Sequence, residues 1–501
     1  MTGLASRRVA GSASGRSTAG PVLAAVSVVL LLAVGAAGDS SATPGLGRRT
    51  VTPPWDLAAA LGRTATDGSA PLASPWLVTA ALALAYLCGA GAVWLGLRAV
   101  RDGAGPPARR VLLAGGAAAL LLTLVPPVGS ADHLSYVAYG RITAAGDDSY
   151  AIAPIDWRGG TDPVAGAVQP PWQHTPNVYG PVATQAFSVS SRLGGGSLRL
   201  TVWWWQLCCA AAFVAAGLLL DRAVRADPRA RLRAALLWTA NPVLLGQLVL
   251  GAHVDVLAAG FAVAALVVLR RRGWPAELLA GVLIGAATGT KAPYALVGVA
   301  ALWALPGPVS GRAWWRAAGL GLLGAAAVVV PGYLWAGPHA FDQSRVAAGF
   351  TSIASPWRAV ANLAAALIGA GTVRVVLVPV AALLAGWLAV RIGRRTGDPA
   401  LALTAAWVLL APYALPWYDA LVWAALALSA VAVPRLEGVL LARLAVLALA
   451  YLPGRVVGLT ASLETVSLGL RRYGAPVLVL AAVAATARWS RPTPPAPPPA
   501  G

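Results

Sequence analysis

The strongest constraint in this chain is a succession of apolar segments, separated by short breaks that carry arginine. A stretch of about 20 apolar residues forms a helix long enough to cross a hydrocarbon core ~30 Å thick. Within lipid, only a helix or a closed barrel satisfies every backbone N–H and C=O. The segments lie at residues 21–37, 75–97, 111–127, 200–220, 234–250, 254–269, 276–289, 293–305, 317–336, 373–390, 400–413, 418–433, 439–453 and 474–487. They amount to about 14 spans, several of which need tilt or re-entrance to cross. The expected fold is an all-α, polytopic membrane bundle. Composition agrees, because a 501-residue chain with 58% hydrophobic and 11% charged residues lacks the polar surface of a water-soluble globule. Cys88, Cys208 and Cys209 sit inside apolar runs and act as small hydrophobes, so neither a disulfide framework nor a zinc site is indicated.

The net charge of +20 does not point to nucleic acid, because the arginines are scattered in short clusters between apolar segments. With a cytoplasmic N-terminus, alternate loops carry Arg98, Arg101, Arg109 and Arg110, then 222–233, 270–272, Arg312 and Arg316. Arg391, Arg394, Arg395, Arg435, Arg443, Arg488 and Arg491 continue the series, giving the positive-inside bias of a plasma-membrane protein. Arg7, Arg8 and Arg16 before the first run fit either a retained anchor or a secretory signal; the length of the run, near that of a span, favours the anchor. The expected organisation is a cytoplasmic tail (1–19), the first transmembrane helices (20–127), an extracytoplasmic loop of catalytic type (128–199), the main bundle with its outer loops (200–487) and a Pro-rich cytoplasmic tail (488–501). All four histidines then fall outside or at outer span ends. The cytoplasmic loops are too short for a nucleotide-binding domain and hold no phosphate loop.

The segment Ser130-Ala-Asp-His-Leu-Ser-Tyr-Val-Ala-Tyr-Gly-Arg141 places an acid where an apolar run ends and a helix begins. Asp132 reads in two ways: as the N-cap of a helix whose face carries Leu134, Val137, Ala138 and Ile142, or as a general base whose proton affinity rises by partial desolvation. Lys291 is the single lysine of the chain. It is either a snorkelling residue at a span end or a point charge for a phosphate, with Arg141 and Arg345 as weaker candidates. His253 and Asp255 are a helix cap or partners for sugar hydroxyls, since two ligands alone make a poor metal site. Tyr179 and Pro416-Trp-Tyr-Asp419 present aromatic rings at the same side, as recognition groups or as an interfacial belt.

The Ser130 to Arg141 segment is followed in order by Ala145-Gly-Asp-Asp-Ser-Tyr150, Ala153-Pro154, Asp162-Pro-Val164, Val178-Tyr-Gly-Pro181, Asn241-Pro-Val-Leu-Leu245, Gly251-Ala-His-Val-Asp255 and Lys291-Ala-Pro293. This series resembles the actinobacterial polyprenol-phosphate-mannose-dependent α-1,6-mannosyltransferases, within the GT-C class of membrane glycosyltransferases. The resemblance implies transfer of mannose from a polyprenyl phosphate carrier to the 6-hydroxyl of a mannan or glycolipid acceptor at the outer face, with inversion. It implies Asp132 as the base; His133, Arg141, Tyr179, His253, Asp255, Lys291, Trp417, Tyr418 and Asp419 are the candidate residues for binding donor or acceptor. No cofactor is expected. Two positions depart from the family pattern: His133 stands where the wider class often has a second acid, and Ser149 where proline is expected. The rival readings are a transporter or flippase for a lipid-linked sugar, a related enzyme using another sugar, and a scaffold without catalysis. A transporter built on broken helices would show two related halves, and no internal repeat is evident.

Overall fold

The computed structural model describes residues 10–46, 53, 56–57, 74–271, 273–307, 309 and 311–491. Residues 1–9 of the expected N-terminal tail and residues 492–501 of the expected Pro-rich tail lie outside these residues. All regular structure among the described residues is helical. In chain order the longer helices are α1 (Ala10–Ala36), α2 (Pro75–Arg101), α3 (Ala108–Leu122), α4 (Asp132–Ala144), α5 (Pro181–Gly194), α6 (Leu198–Ala223), α7 (Pro228–Leu237), α8 (Asp255–Val268), α9 (Trp274–Thr290) and α10 (Leu296–Trp303). They continue with α11 (Arg312–Ala336), α12 (His339–Ala348), α13 (Pro356–Ile368), α14 (Ala370–Thr396), α15 (Pro399–Leu410), α16 (Ala420–Leu428), α17 (Pro434–Ala450), α18 (Ala461–Gly469) and α19 (Ala475–Trp489).

Helix starts are written plainly in the sequence. Pro75, Pro181, Pro228, Pro356, Pro399 and Pro434 each open a helix, where the missing N–H costs nothing and the ring pre-sets φ. Ser197, Asp227, Ser355 and Asp398 cap with their side chains, satisfying N–H groups that would otherwise be orphaned.

Among the described residues, six helical stretches are long and apolar enough to cross a membrane: Thr18–Ala36, Pro75–Arg101, Leu198–Ala223, Arg312–Ala336, Ala370–Thr396 and Ala461–Trp489. Asp255–Val268, Ala292–Trp303 and Pro399–Leu410 are apolar but shorter. Part of the apolar run at 418–433 becomes a buried piece of the core, since every residue of α16 is buried. The protein is an all-α membrane protein.

Close helix contacts rest on small residues, as expected where lipid gives no hydrophobic drive between helices. At the crossing of α9 and α11, a Cβ on Gly281 would lie 2.2 Å from the Gly321 carbonyl oxygen, and one on Gly324 would lie 2.3 Å from that of Leu278. The paired helices α4 and α5 meet the same way, with a Cβ on Gly140 reaching 2.2 Å from the Phe187 carbonyl oxygen.

Several arginine-bearing helix ends meet in space. Arg233 pairs with Glu437 at 2.7 Å and donates to the carbonyls of Leu426 and Ser429. Arg101 lies 3.9 Å from the same carboxylate, and Arg270 reaches the carbonyls of Ala223 and Leu428 at 2.7 and 2.8 Å. Arg443 departs from the sequence expectation of a loop arginine. It stands in the middle of α17, fully buried, with Asp419 as its partner, because only an opposite charge makes burial at that depth tolerable.

Gly140 generates a test. Replacing it by Ala forces α4 off the backbone of α5, and we expect a loss of about 1–3 kcal/mol, the usual cost of overpacking. Thermal unfolding in detergent checks this, with Gly116→Ala as control because no atom lies within 4 Å of a Cβ there. An equal midpoint for the two variants would contradict the contact.

Candidate functional site

At the start of α4 the backbone places Ala131 in the capping position, and it is the Ser130 hydroxyl that accepts from the Asp132 N–H at 3.0 Å. The N-cap reading of Asp132 therefore falls. Ser130 serves the backbone, and the Asp132 carboxylate is left to line a cavity of about 350 Å³. Ser135 and Tyr139 line the same cavity, as residues three and seven positions along a helix share a face. The Asp132 side chain keeps 18% of its surface open and lies 3.8 Å from His253 Nδ1. Burial pushes its pKa up to about 6, against the downward pull of the Ser130 hydroxyl and the Lys291 ammonium, while the Asp255 carboxylate adds to the rise.

His253 is held by a built turn. Asn241 caps the chain at Val243 and Leu244, a wide helical turn runs over Leu245–Leu250, and Ala252 then takes a φ of +52°. That left-handed backbone costs a non-glycine residue about 1–2 kcal/mol. Trp205 Nε1 donates to the Ala252 carbonyl at 2.8 Å and helps hold it. The imidazole stacks on Trp417 at 3.6 Å with 10° between planes, and its Nδ1 lies 3.4 Å from the Tyr136 hydroxyl. Tyr136 is wedged between Phe187, stacked at 5.2 Å, and the edge of Tyr179 at 5.0 Å.

Lys291 breaks the chain between α9 and α10 in an extended conformation. It does not snorkel. The residue is buried, and its ammonium sits 2.8 Å from each oxygen of Asp255, at the start of α8. The Tyr418 ring covers it at 3.5 Å, and Tyr294 donates to the Asp255 carbonyl at 2.9 Å. Lys291, Tyr179, Trp417 and Tyr418 all line the cavity with Asp132. Asp255 and His253 stand directly behind this lining.

Three expected site residues lie elsewhere. His133 is not part of the cavity lining, is fully buried, and has no hydrogen-bond partner on either ring nitrogen among the described residues. Burial, aided by the Arg455 guanidinium, lowers its pKa to about 3 and leaves it neutral. Arg141 pairs with Asp162 at 3.2 Å and the Gly195 carbonyl at 3.2 Å, bracing α4 against its neighbouring loops. Asp419 is committed to Arg443 in the core. Arg345 is exposed on α12. The remaining acids of the motif series are also engaged, Asp147 by the Trp157 indole and Asp148 by His339, each at 2.8 Å. Among the described residues, no group of three His, Cys, Asp or Glu side chains is placed to hold a metal ion.

Trp172, Phe350 and Tyr413 also line the cavity and were not singled out in the sequence. They come from three separate loops, so no helical or strand period links them.

The family described as alpha-(1->6)-mannopyranosyltransferase, N-terminal domain, matches residues 22–307, which include Asp132, His253, Asp255 and Lys291. An alpha-(1->6)-mannopyranosyltransferase B of Corynebacterium glutamicum is 29% identical over 140 residues, covering 28% of this chain and 23% of that protein. A probable alpha-(1->6)-mannopyranosyltransferase of Mycolicibacterium smegmatis is 26% identical over 361 residues, covering 62% of this chain and 63% of that protein. The chain thus spans less than two thirds of the length of either relative. No solved structure matches it.

The buried pair yields a test independent of activity. Lys291→Met strands the Asp255 carboxylate, and removing one partner of a buried pair costs about 3–5 kcal/mol. The double variant Lys291→Met with Asp255→Asn should regain most of that stability in detergent unfolding. Equal midpoints for the single and double variants would show that the charges are not coupled.

Proposed function

Since the chain belongs to the alpha-(1->6)-mannopyranosyltransferase family, we propose that its cavity is the active site of a mannosyltransferase that takes mannose from a polyprenyl phosphate carrier and attaches it to the 6-hydroxyl of a mannan-type acceptor. The observation that carries this reading is the sharing of one cavity by a partly desolvated carboxylate, Asp132, and a fixed ammonium, Lys291.

Asp132 takes the proton of the acceptor 6-hydroxyl as that oxygen bonds to the anomeric carbon. The bond from that carbon to the phosphate oxygen breaks on the opposite face, which inverts the configuration. The departing phosphate is already anionic and needs a cation more than a proton. Lys291 supplies it at a position set by Asp255 and Tyr418, and a preorganised charge in a low-dielectric site costs no rearrangement at the moment of reaction. One base suffices, because no second carboxylate has to act as nucleophile. With its pKa near 6, Asp132 is ionised at neutral pH and afterwards returns the proton to water. His253 and Trp417 hold the ring wall beside the carboxylate.

The cavity opens on the extracytoplasmic side of the plasma membrane in this reading. Its support is that Asp255 begins α8 while Arg270 follows the end of the same helix, where Arg233 and Glu437 also gather. Positive charge collects on the cytoplasmic side.

Two outcomes are expected from transfer of radiolabelled mannose to a synthetic α-1,6-mannoside in membranes. Asp132→Asn should lower the rate about 10²–10⁴-fold, the span of a general-base contribution. In the unaltered protein, kcat/KM should fall as pH drops through about 6, because protonation removes the base. Full activity of Asp132→Asn would eliminate this residue as the base, and movement of labelled donor across the membrane without transfer would favour a transporter.

A further inference from the structure

The lining of the cavity contains a row of aromatic rings of which the proposed chemistry uses only the last, Tyr418. Trp172 and Phe350 have centroids 6.1 Å apart, Phe350 and Tyr413 5.7 Å, and Tyr413 and Tyr418 5.8 Å. The planes are inclined by 44°, 48° and 61°, so no two neighbouring rings are stacked face to face. All four are only partly buried. The row ends at Tyr418, whose face carries the Lys291 ammonium. Open ring faces in series, with polar groups at their edges, suit a ligand made of flat apolar faces and polar rims. A chain of pyranose rings has that character, each sugar offering a C–H face to stack and hydroxyls to its sides.

A polyprenyl tail would also lie against aromatic rings, but the position of Trp172 argues against it. Trp172 sits in a turn-rich stretch between α4 and α5, outside every candidate span. The neighbouring backbone is polar and irregular, with the Thr175 carbonyl accepting from Tyr139 and the Gln169 side chain from Arg455. Irregular backbone of this kind does not face hydrocarbon. An apolar surface for such a tail comes from a different element, since Val378 on the candidate span Ala370–Thr396 also lines the cavity. The Trp172 and Val378 parts of the lining therefore differ in what they can accept.

We propose that Trp172, Phe350 and Tyr413 form a track for the acceptor saccharide, with subsites beyond the sugar that is being modified, so that the protein binds oligosaccharides more tightly than disaccharides. This rests on the glycosyltransferase reading of the cavity. The test needs no turnover: calorimetric affinities of the purified full chain for α-1,6-linked mannose oligomers of increasing length, and for a polyprenyl phosphate.

In the unaltered protein affinity should rise with oligomer length. Trp172→Ala should bind the disaccharide as before and lose about tenfold for the longest oligomer, the scale of one lost ring contact, while Trp172→Phe restores most of it. Phe350→Leu, a milder change, should show the same length-dependent loss if the first variant fails to fold. The proposal is overturned if the unaltered protein binds no oligomer or shows no length dependence, if the variants keep the full dependence, or if they weaken the polyprenyl phosphate and spare the saccharides. Because binding is read without transfer, failure here is distinct from an Asp132→Asn variant that stays active.

Discussion

A charge buried among apolar helices must have a partner, and the placement of Lys291 follows from this. Its ammonium is matched by both oxygens of Asp255 at 2.8 Å, which ties the break between α9 and α10 to the first turn of α8. Tyr294 secures the Asp255 backbone from below, and Tyr418 closes over the cation. Burial alone would make such a pair an expense rather than a gain in stability. What it provides is position: a cation that cannot swing away, presented to the cavity.

The opposite wall is built by different means. α4 carries Asp132, and its approach to α5 depends on Gly140. Tyr136, one turn along the helix, stacks on Phe187, meets Tyr179 edge to face, and links both to His253. His253 in turn lies flat on Trp417, the neighbour of Tyr418. The carboxylate and the ammonium thus belong to elements far apart in sequence, joined through Tyr136, His253 and the adjacent residues Trp417 and Tyr418. On the proposed reading this joins the base to the leaving-group site. Asp419, although it does not face the cavity, anchors the turn that presents Trp417 and Tyr418 through its buried pair with Arg443.

The helical membrane bundle was legible because apolar length and arginine breaks are direct consequences of the bilayer as solvent. Span number was less so, because a buried piece such as α16 has the same composition as a spanning one. Asp132 and Lys291 stood out as ionisable groups at the ends of apolar runs, and Ser135 and Tyr139 follow from Asp132 by helical period. The capping assignment failed because the helix already begins at Asp132, with Ala131 in the cap position and the Ser130 hydroxyl taking the Asp132 N–H. Arg141, His133 and Asp419 share the motifs but are not part of the cavity lining, and motif membership does not encode the direction of a side chain. Trp172, Phe350 and Tyr413 meet only through tertiary packing, which leaves no local signature.

The most direct measurement is an experimental structure of the full chain with a non-transferable polyprenyl phosphonate analogue of the sugar donor bound. The account predicts the phosphonate at the Lys291 ammonium, the anomeric carbon facing the side of Asp132, and the lipid leaving past Val378. A head group bound away from Lys291, or at the end where Arg233 and Arg270 gather, would contradict it.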